Sequence, residues 1–176
     1  MIAHLLSLSR VALALPFAWA MLDPERVGLA AALCVIAIAS DFLDGIVARR
    51  TGTASARGRL IDHGSDFTFV SAGLLAAASR GAIPWLLPIL VGLAFAQYVI
   101  DSLVLERRSE LRPNLLGRWN GILYFVVLIA DIVSRSTPHL SWLAFPLFIF
   151  ALALVASTLA SMLSRALALR RSARRR

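Results

Sequence analysis

Lysine is missing from this chain of 176 residues, and all 18 basic side chains are arginine. Cysteine is represented by Cys34 alone, set inside an apolar run. That excludes a disulfide framework and a thiolate metal site, and leaves the residue to packing. Acids are few, ten against 18 bases, for a formal net charge of +8. Polar stretches long enough to build a second, soluble domain are missing too, so residues 1–176 read as a single domain. What replaces them is apolar: 59% of the residues are hydrophobic, against about 45–50% in soluble domains, and the mean hydropathy is +0.78. Such a chain belongs in a bilayer. Its arginines then face anionic lipid headgroups or phosphorylated substrates, and no nucleic-acid partner is expected.

A helix crosses the hydrocarbon core with about 20 apolar residues, because every backbone polar group must be satisfied within the span. Six segments meet this pattern: Ile2–Leu22, Val27–Ala48, Asp62–Ser79, Ile83–Leu105, Arg118–Val133 and Leu140–Leu163. The first carries Arg10 in mid-run and lacks a cleavage pattern, so it reads as a retained helix rather than a signal peptide. The expected fold is therefore an all-α integral membrane protein with six transmembrane helices. Arg49 to Arg59, Arg107 to Arg118 and Arg165 to Arg176 are the richly basic connectors and tail, and six spans put them on one side. The positive-inside rule makes that side cytoplasmic, with both termini there, as in a multi-pass protein of a bacterial inner membrane. Trp19, Trp85, Trp119 and Trp142 fall near span ends, where amphipathic rings sit at headgroup level.

Four carboxylates gather at the cytoplasmic mouth of the hairpin formed by the second and third spans. Asp41 and Asp44 are three residues apart, and Asp62 and Asp66 four apart, so each pair shares a helix face. Ionisable groups at membrane depth are costly and usually functional. Oxygen ligands without Cys or a His cluster favour a hard cation, Mg²⁺ or Mn²⁺, and four carboxylates suit two ions. Two ions can grip a diphosphate and stabilise both the attacking and the leaving oxygen of an in-line displacement. The alternative is plain pairing with Arg49, Arg50, Arg57 and Arg59 at the interface. Gly45 and Gly58 favour the ligand site, since a residue without a side chain lets a ligand approach the backbone.

From Asp41 to Asp66 the sequence is DFLDGIVARRTGTASARGRLIDHGSD. It resembles the signature of the CDP-alcohol phosphatidyltransferase family, D-x2-D-G-x2-A-R-x8-G-x3-D-x3-D, and meets every fixed position with Asp41, Asp44, Gly45, Ala48, Arg49, Gly58, Asp62 and Asp66. A weaker similarity runs over Leu5 to Arg10, where the family often has Asn near the place of His4 and Thr in that of Ser7. Arg10 either belongs to that element or snorkels to the interface. The resemblance implies transfer of a phosphatidyl group from CDP-diacylglycerol to a small alcohol, with CMP released. It implies metals on Asp41, Asp44, Asp62 and Asp66, and Asp66 as general base, although metal coordination competes for the same carboxylate. The CDP-lipid would be received by Gly45, Ala48, Arg49, Ser55 and Gly58. Relatives form homodimers, and the small residues Ser71, Ala72, Gly73, Ala76, Ala77 and Ala78 are compatible with a helix–helix contact of that kind.

Selection of the acceptor falls to the later helices and the connector between the fourth and fifth. Gly117-Arg118 resembles the Gly-Lys pair of phosphoglycerol-type relatives, and with Arg107, Arg108 and Arg112 it favours an anionic acceptor such as glycerol 3-phosphate. Inositol, inositol phosphate, serine and choline are the other acceptors weighed. Asp101 either pairs with a connector arginine, the expected role, or orients an acceptor, and Asp131 has Arg135 one helical turn on. Gln97 and Asn120 either contact hydroxyls or serve helix packing. The rival from another class is a membrane cation transporter, which would distribute its acids through the bilayer depth.

Overall fold

The computed structural model describes the backbone of residues 2–51, 56–105 and 115–174, and within these the side chains of residues 9–43, 46, 62–101 and 115–168. The described residues form six α-helices and no strand: α1 Ile2–Leu22, α2 Val27–Thr51, α3 Ala56–Ser79, α4 Leu86–Leu105, α5 Leu115–Ser136 and α6 Ala144–Arg174. Short 3₁₀ turns at Pro24–Arg26 and Pro138–Leu143 lead into α2 and α6. Each begins with proline, whose fixed φ and missing N–H suit a first helical position. Asp23 Oδ1 caps the first of them, accepting from Glu25 N at 2.9 Å. After α3 the chain turns at Gly81, φ +77°, a left-handed conformation that glycine adopts without steric cost.

Among the described residues, three stretches are long and apolar enough to cross a membrane: Pro24–Leu43, Leu115–Ser136 and Pro138–Ala168. Ser9–Leu22 and Leu86–Asp101 are shorter apolar helical runs. Large apolar side chains stand outward, among them Leu15, Val35, Phe42, Leu115 and Phe145. Water would make that surface unfavourable, whereas lipid tails solvate it. The molecule is a membrane protein.

Helix direction follows from the pairs that touch. Phe17 of α1 stacks on Phe69 of α3 with ring centroids 4.3 Å apart, and Arg10 lies on Asp62. Both pairs are offset by 52 residues, so α1 and α3 run parallel. Phe69 approaches Phe125 of α5 at 6.4 Å, and a Cβ on Gly73 would meet Leu128 of α5; offsets of 56 and 55 make α5 parallel to both. Phe67 on Phe95 and His63 on Tyr98 run in opposite order, so α4 is antiparallel to α3. Phe17, Met21, Phe69, Leu74, Leu87 and Leu128 form the buried centre.

The small-residue face of α3 is used inside the chain. Ala76, Ala77 and Ala78 are buried, and a Cβ at Gly73 would lie 2.5 Å from Phe17 Cε1 and 2.9 Å from Leu128 Cδ2. Gly73 is what lets α1, α3 and α5 close on one another. That face is therefore occupied within one chain, and a homodimer draws no support from it.

Candidate functional site

One end of the bundle holds the polar cluster. Arg10, on α1, is fully buried, and its guanidinium reaches both α2 and α3. Nη1 donates to Asp41 Oδ1 of α2 at 2.8 Å and also to Asp66 Oδ1 of α3, while Nη2 donates to Asp62 Oδ1 of α3. The local folding is simple. Asp62 and Asp66 share a face of α3 at one-turn spacing, and the parallel packing of α1 on α3 sets Arg10 against both. The sequence left Arg10 between snorkelling and a place in an N-terminal element. Zero exposure rules out snorkelling, because a snorkelling side chain keeps its charged head in water.

Among the described residues the cluster sets three carboxylates against one guanidinium. The carboxylate side chains remain partly open, at 50% for Asp41, 35% for Asp62 and 26% for Asp66. Oxygen donors that outnumber the cation they gather on and remain accessible fit a hard metal. Asp62, His63 and Asp66 also form a possible metal-holding group, with ligand atoms within 4.8 Å of one another. The sequence reading passed over His63. Its signal was adjacency to Asp62, but adjacent helical residues diverge by about 100°, so only the structure shows the imidazole and carboxylates within common reach.

The backbone of Asp44, Gly45, Ala48, Arg49 and Gly58 lies in α2 or α3, but their side-chain environments fall outside the described residues. Ser55 and the acceptor-side candidates Arg107, Arg108 and Arg112 lie outside the described residues altogether, as do the side chains of Arg50, Arg57 and Arg59. Arg118 is exposed at the head of α5.

Two other acids are placed elsewhere. Asp101 pairs with Arg165 of α6 at 3.6 Å; the connector arginines Arg107, Arg108 and Arg112, its expected partners, lie outside the described residues. The packing of α4 on α6 brings Arg165 to it. Asp131, at the opposite end of the bundle, pairs with Arg80 and with Arg135, the latter at 3.8 Å. Arg135 also donates to the carbonyls of Met21 and Asp23 at 3.0 and 2.8 Å, capping the end of α1. Among the described residues, the two buried acids outside the cluster are thus held by arginine, unlike the file of acids an ion pathway would need.

Comparison with known proteins decides the family. The model for CDP-alcohol phosphatidyltransferase matches residues 1–157. The chain belongs to that family. Among curated proteins, the cardiolipin synthase (CMP-forming) of Streptomyces coelicolor is 32% identical over 124 residues, which is 66% of this chain and 58% of that protein. The chain thus spans less than two-thirds of the relative's length. No solved structure matches significantly. Family membership gives the carboxylate cluster its context: Asp41, Asp62 and Asp66 are signature positions, and they converge in space.

Proposed function

We propose that this membrane protein transfers the phosphatidyl group of a CDP-lipid, CDP-diacylglycerol, to the free hydroxyl of a glycerol phosphate headgroup, releasing CMP. The convergence of Asp41, Asp62 and Asp66 on one buried cation carries the reading. Its setting is a six-span layout with both termini cytoplasmic and the site between α2 and α3 at the cytoplasmic mouth. The donor's acyl chains then stay in lipid while its diphosphate reaches water.

In this reading Asp41, Asp44, Asp62 and Asp66 hold Mg²⁺ or Mn²⁺, two ions in all, with His63 beside them. Bound there, the metal supplies charge neutralisation for the diphosphate. Arg10 keeps the three described carboxylates oriented toward a common point, which limits the reorganisation needed when substrate arrives. Gly45, Ala48, Arg49, Ser55 and Gly58 receive the CDP portion. Asp66 takes the proton of the acceptor hydroxyl on a carboxylate oxygen. The freed oxygen bonds to the lipid-bearing phosphorus, the phosphorus–oxygen bond to the bridging oxygen breaks, and CMP departs with the electron pair.

Arg107, Arg108, Arg112 and Arg118 supply cationic donors for an anionic acceptor. Glycerol 3-phosphate fits this chemistry. The relative named as a cardiolipin synthase favours a second acceptor of the same kind, since a phosphatidyl group moved onto the free glycerol hydroxyl of phosphatidylglycerol yields cardiolipin. Lipid mass spectrometry of membranes holding the protein, supplied with CDP-diacylglycerol and each acceptor separately, tests the reading. A glycerophospholipid product with either acceptor is expected. Product only with inositol, serine or choline would refute the acceptor class, and no product with any would refute the transfer.

A further inference from the structure

The α5–α6 seam holds a polar residue that none of the chemistry above uses. Asn120 of α5 is 3% exposed, and its Oδ1 accepts from Ser157 Oγ of α6 at 2.7 Å. Its Nδ2, equally buried, has no hydrogen-bond partner among the described residues. Native interiors leave few such donors unsatisfied, and each calls for an explanation, an absent ligand being one. Beside it the seam hydroxyls are already paired: Tyr124 Oη donates to Thr158 Oγ1 at 2.6 Å, and Thr158 donates onward to Leu154 O at 2.7 Å.

The level of Asn120 can be read from helix register. Gly73 faces Leu128, and Phe69 approaches Phe125, so α3 and α5 run side by side at offsets of 55 and 56. Asn120 is then level with Gly64 and Ser65, between Asp62 and Asp66. The signature assigns the nucleotide side of the site to α2 and α3. What remains at this depth, facing α5 and α6, is the acceptor's side.

We infer that the Asn120 amide is an acceptor-binding group: its Nδ2 hydrogens bind an oxygen of the acceptor's polar headgroup beside the carboxylate cluster, and Ser157 orients the amide so that nitrogen faces the ligand. This rests on the phosphatidyl-transfer reading. An amide nitrogen donates to a hydroxyl or a phosphate oxygen alike, which suits both glycerol 3-phosphate and phosphatidylglycerol.

Steady-state kinetics on the full-length protein in lipid nanodiscs tests it, with CDP-diacylglycerol as donor and glycerol 3-phosphate and phosphatidylglycerol as acceptors. Asn120→Asp keeps the acceptor atom for Ser157 and removes the N–H donor; Ser157→Ala keeps the donor and removes its orientation. Asn120→Asp is expected to raise the acceptor KM about tenfold or more, with the CDP-diacylglycerol KM within about twofold of wild type. Ser157→Ala shifts the acceptor KM in the same direction by less. Unchanged acceptor KM in both variants, or a rise confined to the donor KM, would overturn the inference. If Asn120→Asp does not fold, the acceptor KM of Ser157→Ala decides alone. Wild-type protein that releases no CMP with any acceptor would bring down the transfer reading itself, a result distinct from the others.

Discussion

Removing the guanidinium of Arg10 should expose how the carboxylate cluster is held. In Arg10→Ala, Asp41, Asp62 and Asp66 lose a buried cation that all three contact. Breaking a buried ion pair by deleting one partner costs about 3–5 kcal/mol. The three acids are a quarter to a half exposed, and water screens part of their repulsion, which places this case near the lower end, about 3 kcal/mol. For a chain of this size each kcal/mol moves the midpoint by roughly 2–4 °C, so the variant in EDTA should unfold roughly 6–12 °C below wild type. Divalent metal restores the missing charge. Titrating Mg²⁺ should therefore raise the variant's midpoint more than wild type's, and its apparent Mg²⁺ affinity should be the higher of the two, because one competing cation has gone. The assay is thermal unfolding in detergent at matched protein concentration, with EDTA or graded Mg²⁺. A variant within about a degree of wild type in EDTA, or one that Mg²⁺ does not rescue preferentially, would refute the assignment of Arg10 as the internal counter-ion.

Asp62→Asn and Asp66→Asn should each lower CMP release by about 10²-fold or more while the protein still folds, as read by turnover and elution profile together. Asp131→Asn should behave in the opposite way: transfer per folded molecule persists, but Arg80 and Arg135 lose their buried partner and the thermal midpoint falls, by about 3 kcal/mol of stability. Chelation with EDTA should stop CMP release by wild-type protein, and Mg²⁺ or Mn²⁺ should restore it whereas Ca²⁺, with its longer bonds and higher coordination number, should do so poorly. Gly73→Val should destabilise the fold by about 1–3 kcal/mol through collision with Phe17 and Leu128, seen as a lower midpoint with normal metal binding in whatever fraction folds.

Much of the architecture was legible because apolar runs and helix termini coincide in a membrane chain. Ile2–Leu22 is the same segment in the sequence reading and in α1. The readings diverge where helix and span part company. α6 continues to Arg174, eleven residues beyond the expected Leu163, because Ala, Leu and Arg keep good helix propensity after hydropathy has fallen. α3 likewise starts at Ala56, ahead of Asp62. The meeting of Asp62 with Asp66 was readable from one-turn spacing alone. Arg10 was not: it lies 31 residues from Asp41 and 56 from Asp66, and a lone arginine in an apolar helix is equally compatible with snorkelling until the packing of α1 on α3 is known. The same tertiary information gives Asp101 the partner Arg165 and turns the small-residue face of α3 inward.

Metal-dependent CMP release tests the central claim most directly. Purified protein in nanodiscs, given radiolabelled CDP-diacylglycerol, Mg²⁺ and either glycerol 3-phosphate or phosphatidylglycerol, should release CMP and form phospholipid product in equal amounts. Omitting Mg²⁺ or substituting Asp62→Asn should stop both. CMP release that continues in the Asp62→Asn protein, or that fails in wild type with every acceptor, would contradict the account.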